Sequence, residues 1–504
     1  MLTRCAASQE LKRELTSFNN FSVSFSIVSV LTGLSSMYGF GLAAGGPAMV
    51  IWGWCIVVLM TMAVALSMAE ICSAYPTSGG LYFWSARLAS PRWAPFVSWM
   101  TGWFNLLGQI ASTAAIDFGL ALTLSATISI ATDFAYTETP ASVVGIYLGV
   151  LAVHAAINTF AVRGIALLNV VSVWWHILGT LVIVISVLVC AEHHPSPSWV
   201  FGHFENHTGW DNNGYAALIS LLMAQYTLSG YDASANMTEE TKRADIAGPV
   251  GIIMAVAVSF VIGLFYLIGL NFAIQDYDRL IHSRTGMAIA QLFLDTMGRT
   301  GAVLLLVIVL GAMFFAGNAS MTSNSRTIYA FSRDKAVPGH RLWHRIDKRW
   351  HSPAYAVWLS ASVAGLLGLL YLGNSTAFTA ITSLTAIGLY ISYGLPIFCR
   401  ICRPSSTFER GPFHLGRASY PIGVVACLWI TFITVLFVLP SANPVTAENM
   451  NYALAVTGAV VIGVGGWWAI RARHWFTGPS FASAEPQSPA LDEVTVASKS
   501  SCEK

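Results

Sequence analysis

About twelve stretches of this chain run for some 20 residues or more with almost no charge. A run of that length and polarity matches the thickness of a bilayer's hydrocarbon core. The stretches fall at 21–43, 47–71, 94–125, 142–160, 165–190, 214–235, 249–274, 301–328, 354–372, 377–399, 421–439 and 452–470. Composition supports the same reading. Of 504 residues 55% are hydrophobic and only 10% charged, where soluble domains carry about 25% charged residues. Too few polar side chains remain to clothe a water-facing surface, so the expected fold class is an all-α membrane protein.

The connecting segments alternate in charge. About 23 of the 26 Lys and Arg fall on one side together with both termini, whereas Arg279, Arg284 and Arg299 fall on the other. By the positive-inside rule the basic side is cytosolic. Residues 1–20 carry Arg4, Lys12 and Arg13 without an apolar core, so they read as a cytosolic segment and not as a signal peptide. Residues 191–213 form an extracytoplasmic loop. It holds Asn206-His207-Thr208, a glycosylation sequon; Asn318-Ala319-Ser320 also matches but lies inside a span. The tail 472–504 is rich in Ser, Pro and Ala and reads as disordered and cytosolic.

A net charge of +2 argues against a nucleic-acid partner. Of the 8 Cys, Cys399 and Cys402 make the only C-x-x-C, with no second ligand pair nearby in sequence. Buried inert thiols are the better reading, and neither a metal nor a cofactor is expected.

Two spans carry signs of interruption. The first has Gly33, Ser35, Ser36, Gly39 and Gly41 along its length; the sixth has Thr227-Leu228-Ser229-Gly230-Tyr231-Asp232. Glycine also serves close helix packing. The two signs coincide, however, if spans 1–5 and 6–10 are repeats, and paired broken helices mark midplane binding sites in transporters. Free N–H groups at half-helix N-termini suit a carboxylate, and free carbonyls suit an ammonium. An amino acid fits both ends.

These segments resemble the amino acid–polyamine–organocation superfamily, in its amino-acid/choline branch of GABA permeases and bidirectional amino-acid transporters. The resemblance rests on residues 26–33 (S-I-V-S-V-L-T-G), Gly45-Gly46-Pro47, residues 67–84 (S-M-A-E-I-C-S-A-Y-P-T-S-G-G-L-Y-F-W) and 98–105 (S-W-M-T-G-W-F-N). Residues 225–241 (Q-Y-T-L-S-G-Y-D-A-S-A-N-M-T-E-E-T), 326–338 (R-T-I-Y-A-F-S-R-D-K-A-V-P) and 411–416 (G-P-F-H-L-G) extend it over nearly the whole chain. It implies a five-plus-five inverted repeat, residues 21–190 and 214–401, followed by two additional helices within 402–471. It also implies uptake or exchange of amino acids or related amines, often coupled to protons. The substrate stays open among GABA, neutral or basic amino acids, choline and polyamines, as does a transporter-like receptor that moves nothing. A plasma membrane is expected, with an organelle membrane as the alternative.

By the same resemblance Gly33, Ser35 and Ser36 map near the unwound centre of the first helix, and Ser229, Gly230 and Tyr231 near that of the sixth. Their backbone would hold the substrate while Tyr231 closes over it; close packing and a core tyrosine are the plainer account. Asp117 and Asp232 are acidic residues at membrane depth, where charge is costly and by default functional; Asp232 is placed with the substrate-binding residues and Asp117 as a proton-coupling candidate, with a structural ion pair or a protonated hydrogen-bond donor as the rival. His176 lies in the fifth span, where some sodium-independent relatives place a lysine and this chain has none. An imidazole titrates near neutrality and would serve as the coupling group. Asn318, Ser320, Thr322 and Ser323 form a polar face on the eighth span, read as interhelical hydrogen bonding, with an ion site as the alternative. Glu70, Glu239 and Glu240 are expected to make ion pairs near the cytosolic ends. A channel would need a filter or a ring of like charges, and a membrane enzyme a cluster such as H-E-x-x-H. Neither pattern is present in the sequence.

Overall fold

The computed structural model describes residues 16–77, 79–350, 352–373, 376–404, 407–446 and 450–479. The expectations for most of the two termini, and for the Glu239 side chain, lie outside the described residues. The helices are α1 (Ser17–Val28), α2 (Val30–Ala74), α3 (Gly80–Leu88), α4 (Ala94–Ala131), α5 (Pro140–Phe160), α6 (Val162–Cys190), α7 (Pro197–Gly202), α8 (Asn213–Thr227) and α9 (Ala233–Asn236). There follow α10 (Ala244–Phe272), α11 (Tyr277–Ile281), α12 (Ala288–Arg333), α13 (His340–Trp343), α14 (Ala354–Gly368), α15 (Ala377–Cys402), α16 (Ser419–Leu436) and α17 (Ala453–Ile470). No strand occurs among the described residues.

Ten stretches are long and apolar enough to cross a membrane. One of them, Ser17–Ala74, is 58 residues long and is turned back at Gly46, whose φ of 68° and ψ of −175° leave helical geometry. That stretch therefore supplies the first two spans. The sixth span is interrupted between α8 and α9, and α8 has only 15 residues, so it falls short of the length test. Counting both features recovers the twelve spans expected from the sequence.

Two features of the first five spans recur in the second five. The leading helix of each set is broken, at Ser29 and at 228–232. A short helix precedes the third span of each set: α3 in the first, and residues 288–297 of α12 in the second, set off from the rest of α12 by Gly298 at φ 64°. Five crossings separate corresponding elements, so the second set runs opposite to the first.

Polar contacts sort onto two ends. Arg87 pairs with Glu409 at 3.8 Å, Arg326 with Glu240 at 3.5 Å and Arg400 with Glu70 at 3.9 Å. At the other end Arg279 pairs with Asp295 at 3.1 Å, Arg284 lies over the Phe134 ring, and Arg299 donates to the Ala131 carbonyl. The glutamates meet the ion-pair expectation, although Glu70 is held chiefly by the Leu415 amide at 3.1 Å and the Ser419 hydroxyl.

Candidate functional site

The break in the first helix sits at Ser29, four residues before Gly33, which with Ser35 and Ser36 lies in regular helix. The expected position is thus corrected. Side-chain bonding explains the shift. The Ser29 hydroxyl accepts from the Thr32 amide at 3.3 Å and lies 2.5 Å from both Thr32 Oγ1 and His176 Nε2. A side chain that bonds its own backbone three residues on competes with the helix ladder and starts a new helix.

In the sixth helix the break spans 228–232. Gly230 has φ +87°, and a Cβ there would come 2.4 Å from Ile27 Cγ2. A left-handed backbone and a close approach thus coincide at a glycine. Asp232 closes the gap. It is fully buried, and its carboxylate accepts from Tyr393 Oη at 2.6 Å, Gln109 Nε2 at 3.0 Å and Asn236 Nδ2 at 3.3 Å. Tyr393 Oη in turn accepts from the Gly230 amide at 3.3 Å.

The two breaks are joined. Ser24 Oγ donates to the Tyr231 carbonyl at 2.9 Å and accepts from the Ser234 amide at 2.8 Å. Asn20 Nδ2 donates to the Ser234 carbonyl at 2.9 Å. On the far side of the breaks Gly33 lies against Thr227, where a Cβ would approach Oγ1 to 2.4 Å.

Between these halves is a small cavity. It is lined by Ile27, Val28, Ser29, Thr32 and Gly33 of the first span, Ser112 and Ile116 of the third, and Tyr226, Thr227 and Ser229 of the sixth. Hydroxyls, backbone and aliphatic groups make its wall; none of those residues is charged. Helix ends supply the charge complement. Carbonyls at the C-terminus of α1 and amides at the N-terminus of α2 are released by the break, and they place opposite partial charges within one small space.

Of the residues singled out in the sequence, Gly33 and Ser229 line this cavity. Gly230 shapes it from behind. Ser35 turns away to Tyr266 Oη at 2.8 Å, and Ser36 donates to the Thr32 carbonyl at 2.6 Å. Tyr231 is fully buried, its ring 5.2 Å from Tyr393 and 6.4 Å from Tyr390. His176 reaches the cavity's edge through Ser29, and its Nδ1 donates to the Ser172 carbonyl at 2.7 Å. Asp117 is elsewhere, paired with His154 on α5.

The polar face of the eighth span works across helices. Thr322 donates to Asn158 at 2.6 Å, Asn158 to Asn318 at 3.0 Å, and Ser320 lies 2.9 Å from Thr113. Among the described residues no three His, Cys, Asp or Glu are grouped to hold a metal ion. Ser29, Thr32, Ser112, Tyr226 and Thr227 were not expected as wall residues. Only Thr227 stood in a segment marked as interrupted.

A profile of amino acid permeases matches residues 18–461. The chain is 45% identical to the amino-acid permease BAT1 of Arabidopsis thaliana over 486 residues, covering 94% of each protein. It is 45% identical to the BAT1 homolog of Oryza sativa subsp. japonica, covering 94% of this chain and 93% of that one. The GABA-specific permease of Saccharomyces cerevisiae is 30% identical, over 95% of this chain and 85% of the relative.

Proposed function

The chain belongs to the amino acid permease family, and from that premise we propose that it carries amino acids or closely related amines such as GABA across a membrane by alternating access. The supporting observation is the uncharged cavity set between two helix breaks. A zwitterion brings a carboxylate for the freed amides and an ammonium for the freed carbonyls. Choline lacks the carboxylate, and a polyamine carries several cations. Either would leave the amide end unmet, and a polyamine would leave at least one charge without a partner as well.

Transport is coupled to protons, and His176 is the coupling group. A carbonyl only accepts, so Nδ1 of His176 carries a hydrogen and, in the neutral ring, Nε2 accepts from Ser29. Protonation makes Nε2 a donor. The Ser29 hydroxyl then turns its hydrogen toward Thr32 Oγ1, 2.5 Å away on the cavity wall. One proton thereby reverses a hydrogen-bond chain that ends where the substrate sits. Asp232, with three neutral donors around it, instead holds the sixth break in shape.

The test is uptake of a labelled amino-acid and amine panel by the reconstituted protein, with and without a pH gradient. Uptake driven by an inward proton gradient is expected. His176→Ala should flatten its pH dependence. Uptake that needs sodium and ignores the proton gradient would remove the proton reading, and a panel that is not moved at all would make the protein a receptor.

A further inference from the structure

The hydroxyls that line the cavity are not equally free. Thr227 Oγ1 donates to the Met223 carbonyl at 2.8 Å, and Ser229 Oγ to the Tyr226 carbonyl at 2.6 Å. Ser29 and Thr32 hold each other at 2.5 Å, and Ser29 also meets His176. These four are engaged within the protein. Tyr226 differs. Its side chain belongs to a residue only 4% exposed, and among the described wall residues it alone has a buried hydroxyl without a hydrogen-bond partner. The carboxylate next to the wall does not take that hydroxyl: Asp117, one residue beyond Ile116, pairs with His154. Ser112, also on the wall, brings a further hydroxyl from the third span.

A hydroxyl left unpaired away from water is costly, and folded proteins seldom keep one without a reason. Here the residue that bears it is a wall of the cavity between the two helix breaks. Amides and carbonyls freed at the breaks answer the carboxylate and ammonium that every α-amino acid carries. What they leave unread is the side chain. Tyr226 and Ser112 offer that side chain two hydroxyls, while Ile116 and Ile27 offer it aliphatic surface. The wall residues carry no charge, and the space is small. A short neutral side chain with both a hydroxyl and a methyl group meets all of these features.

We propose that Tyr226 is a specificity residue that reads the substrate's side chain, and that the preferred substrates are small α-amino acids with a hydroxyl there, threonine and serine. The phenol donates to the substrate hydroxyl, which in turn donates to Ser112, so each polar group finds a partner. Valine has the shape of threonine without the oxygen. It excludes water from the phenol and returns no hydrogen bond. A site built to bond a substrate hydroxyl rejects the analogue that lacks it, because the site's own polar group is then left unpaired. The proposal rests on the transport reading above and adds to it the choice among substrates. His176 acts through Ser29 and Thr32 on the first span and takes no part in that choice.

The experiment measures KM for threonine, valine, serine and alanine with full-length protein in proteoliposomes at one fixed pH, with GABA added as a substrate that has no side chain. In the wild type KM for threonine should lie at least about fivefold below that for valine, the lower end of what one unpaired buried hydroxyl costs. Serine should be preferred to alanine in the same sense. Tyr226→Phe deletes one oxygen and keeps the ring, so the valine-to-threonine ratio of KM should fall to near one. If that variant is not recovered folded, Ser112→Ala is read in its place and should lower the same ratio. A residue that only supports the fold would raise KM for threonine and valine together and leave their ratio where it was. That result overturns the proposal, as does a wild type that treats the two alike. Uptake of GABA or alanine without uptake of threonine removes this proposal and leaves the transport reading intact. A panel that is not moved at all removes both.

Discussion

Gly230 carries the most constrained backbone in the site. Its φ of +87° and the 2.4 Å approach to Ile27 leave no room for a side chain. Ile27 is β-branched and stiff, so it cannot swing clear. Gly230→Val should abolish uptake while the protein still inserts and reaches its membrane; normal uptake by this variant would take Gly230 out of the site. Tyr393→Phe tests the neighbouring clamp. It removes the donor to Asp232 and the acceptor of the Gly230 amide, leaving two buried polar groups short, a cost of about 1–3 kcal/mol each. A lower melting temperature and a raised KM are expected, read by thermal unfolding and by uptake. The sixth break was legible because glycine and aspartate interrupt an apolar run there. The first was misplaced because Ser29 stands in Ser26-Ile27-Val28-Ser29-Val30-Leu31, which has no glycine or proline to mark it. The Ser29 hydroxyl caps the new helix through the Thr32 amide and also meets His176, 147 residues away, a neighbour that no local pattern encodes. His154 was missed for a different reason. The rule that picked out Asp117 applies equally to a histidine inside a span, and it was not extended to that one.

Long helices that the sequence divides correctly are still turned by single glycines. Gly45-Gly46-Pro47 marks the boundary between the first two spans, and the backbone reverses at Gly46. Residues 203–205 of the loop between the fifth and sixth spans pack directly on that turn. The Ala48 amide donates to the His203 carbonyl at 3.1 Å, and a Cβ on Gly46 would meet the Glu205 nitrogen and His203 oxygen at 2.9 Å. Gly46→Ala should therefore strain a left-handed backbone and push the loop away, costing about 1–3 kcal/mol. Thermal unfolding in detergent reads this as a lower midpoint, and an unchanged midpoint would mean that the loop does not cap the turn. No span is expected between 274 and 301, where Gln291, Asp295 and Arg299 break the apolar pattern, yet residues 288–297 are helical. In the fold Gln291 donates to Asp295, Asp295 pairs with Arg279 and Arg299 donates to the Ala131 carbonyl, while Ile289, Leu292 and Phe293 are buried. The register of that helix is set by the packing partner and not by a membrane-length run.

The charge asymmetry of the loops organises the whole molecule. Arg87, Arg326 and Arg400 gather at one end with glutamates, and Arg279, Arg284 and Arg299 at the other. If the basic end is cytosolic, a cysteine placed at Ser198, in the exposed loop before the sixth span, should react with an impermeant reagent from outside sealed cells or vesicles. One placed at Arg473 should not. Equal labelling would overturn the orientation. Architecture was readable from the chain because lipid imposes it on length and polarity alone, whereas the meeting of Ser29 with His176, and of Asp117 with His154, depends on which helices become neighbours. The bridge made by Ser24 has a mechanical corollary. With one hydroxyl it fastens α1 to both the Tyr231 carbonyl and the Ser234 amide, so under the proposed alternating access the two half-helices on that side would swing as a single lever. Across the breaks Gly33 and Thr227 are in close contact. The fulcrum of such a movement would lie at the breaks themselves, with the cavity on the pivot.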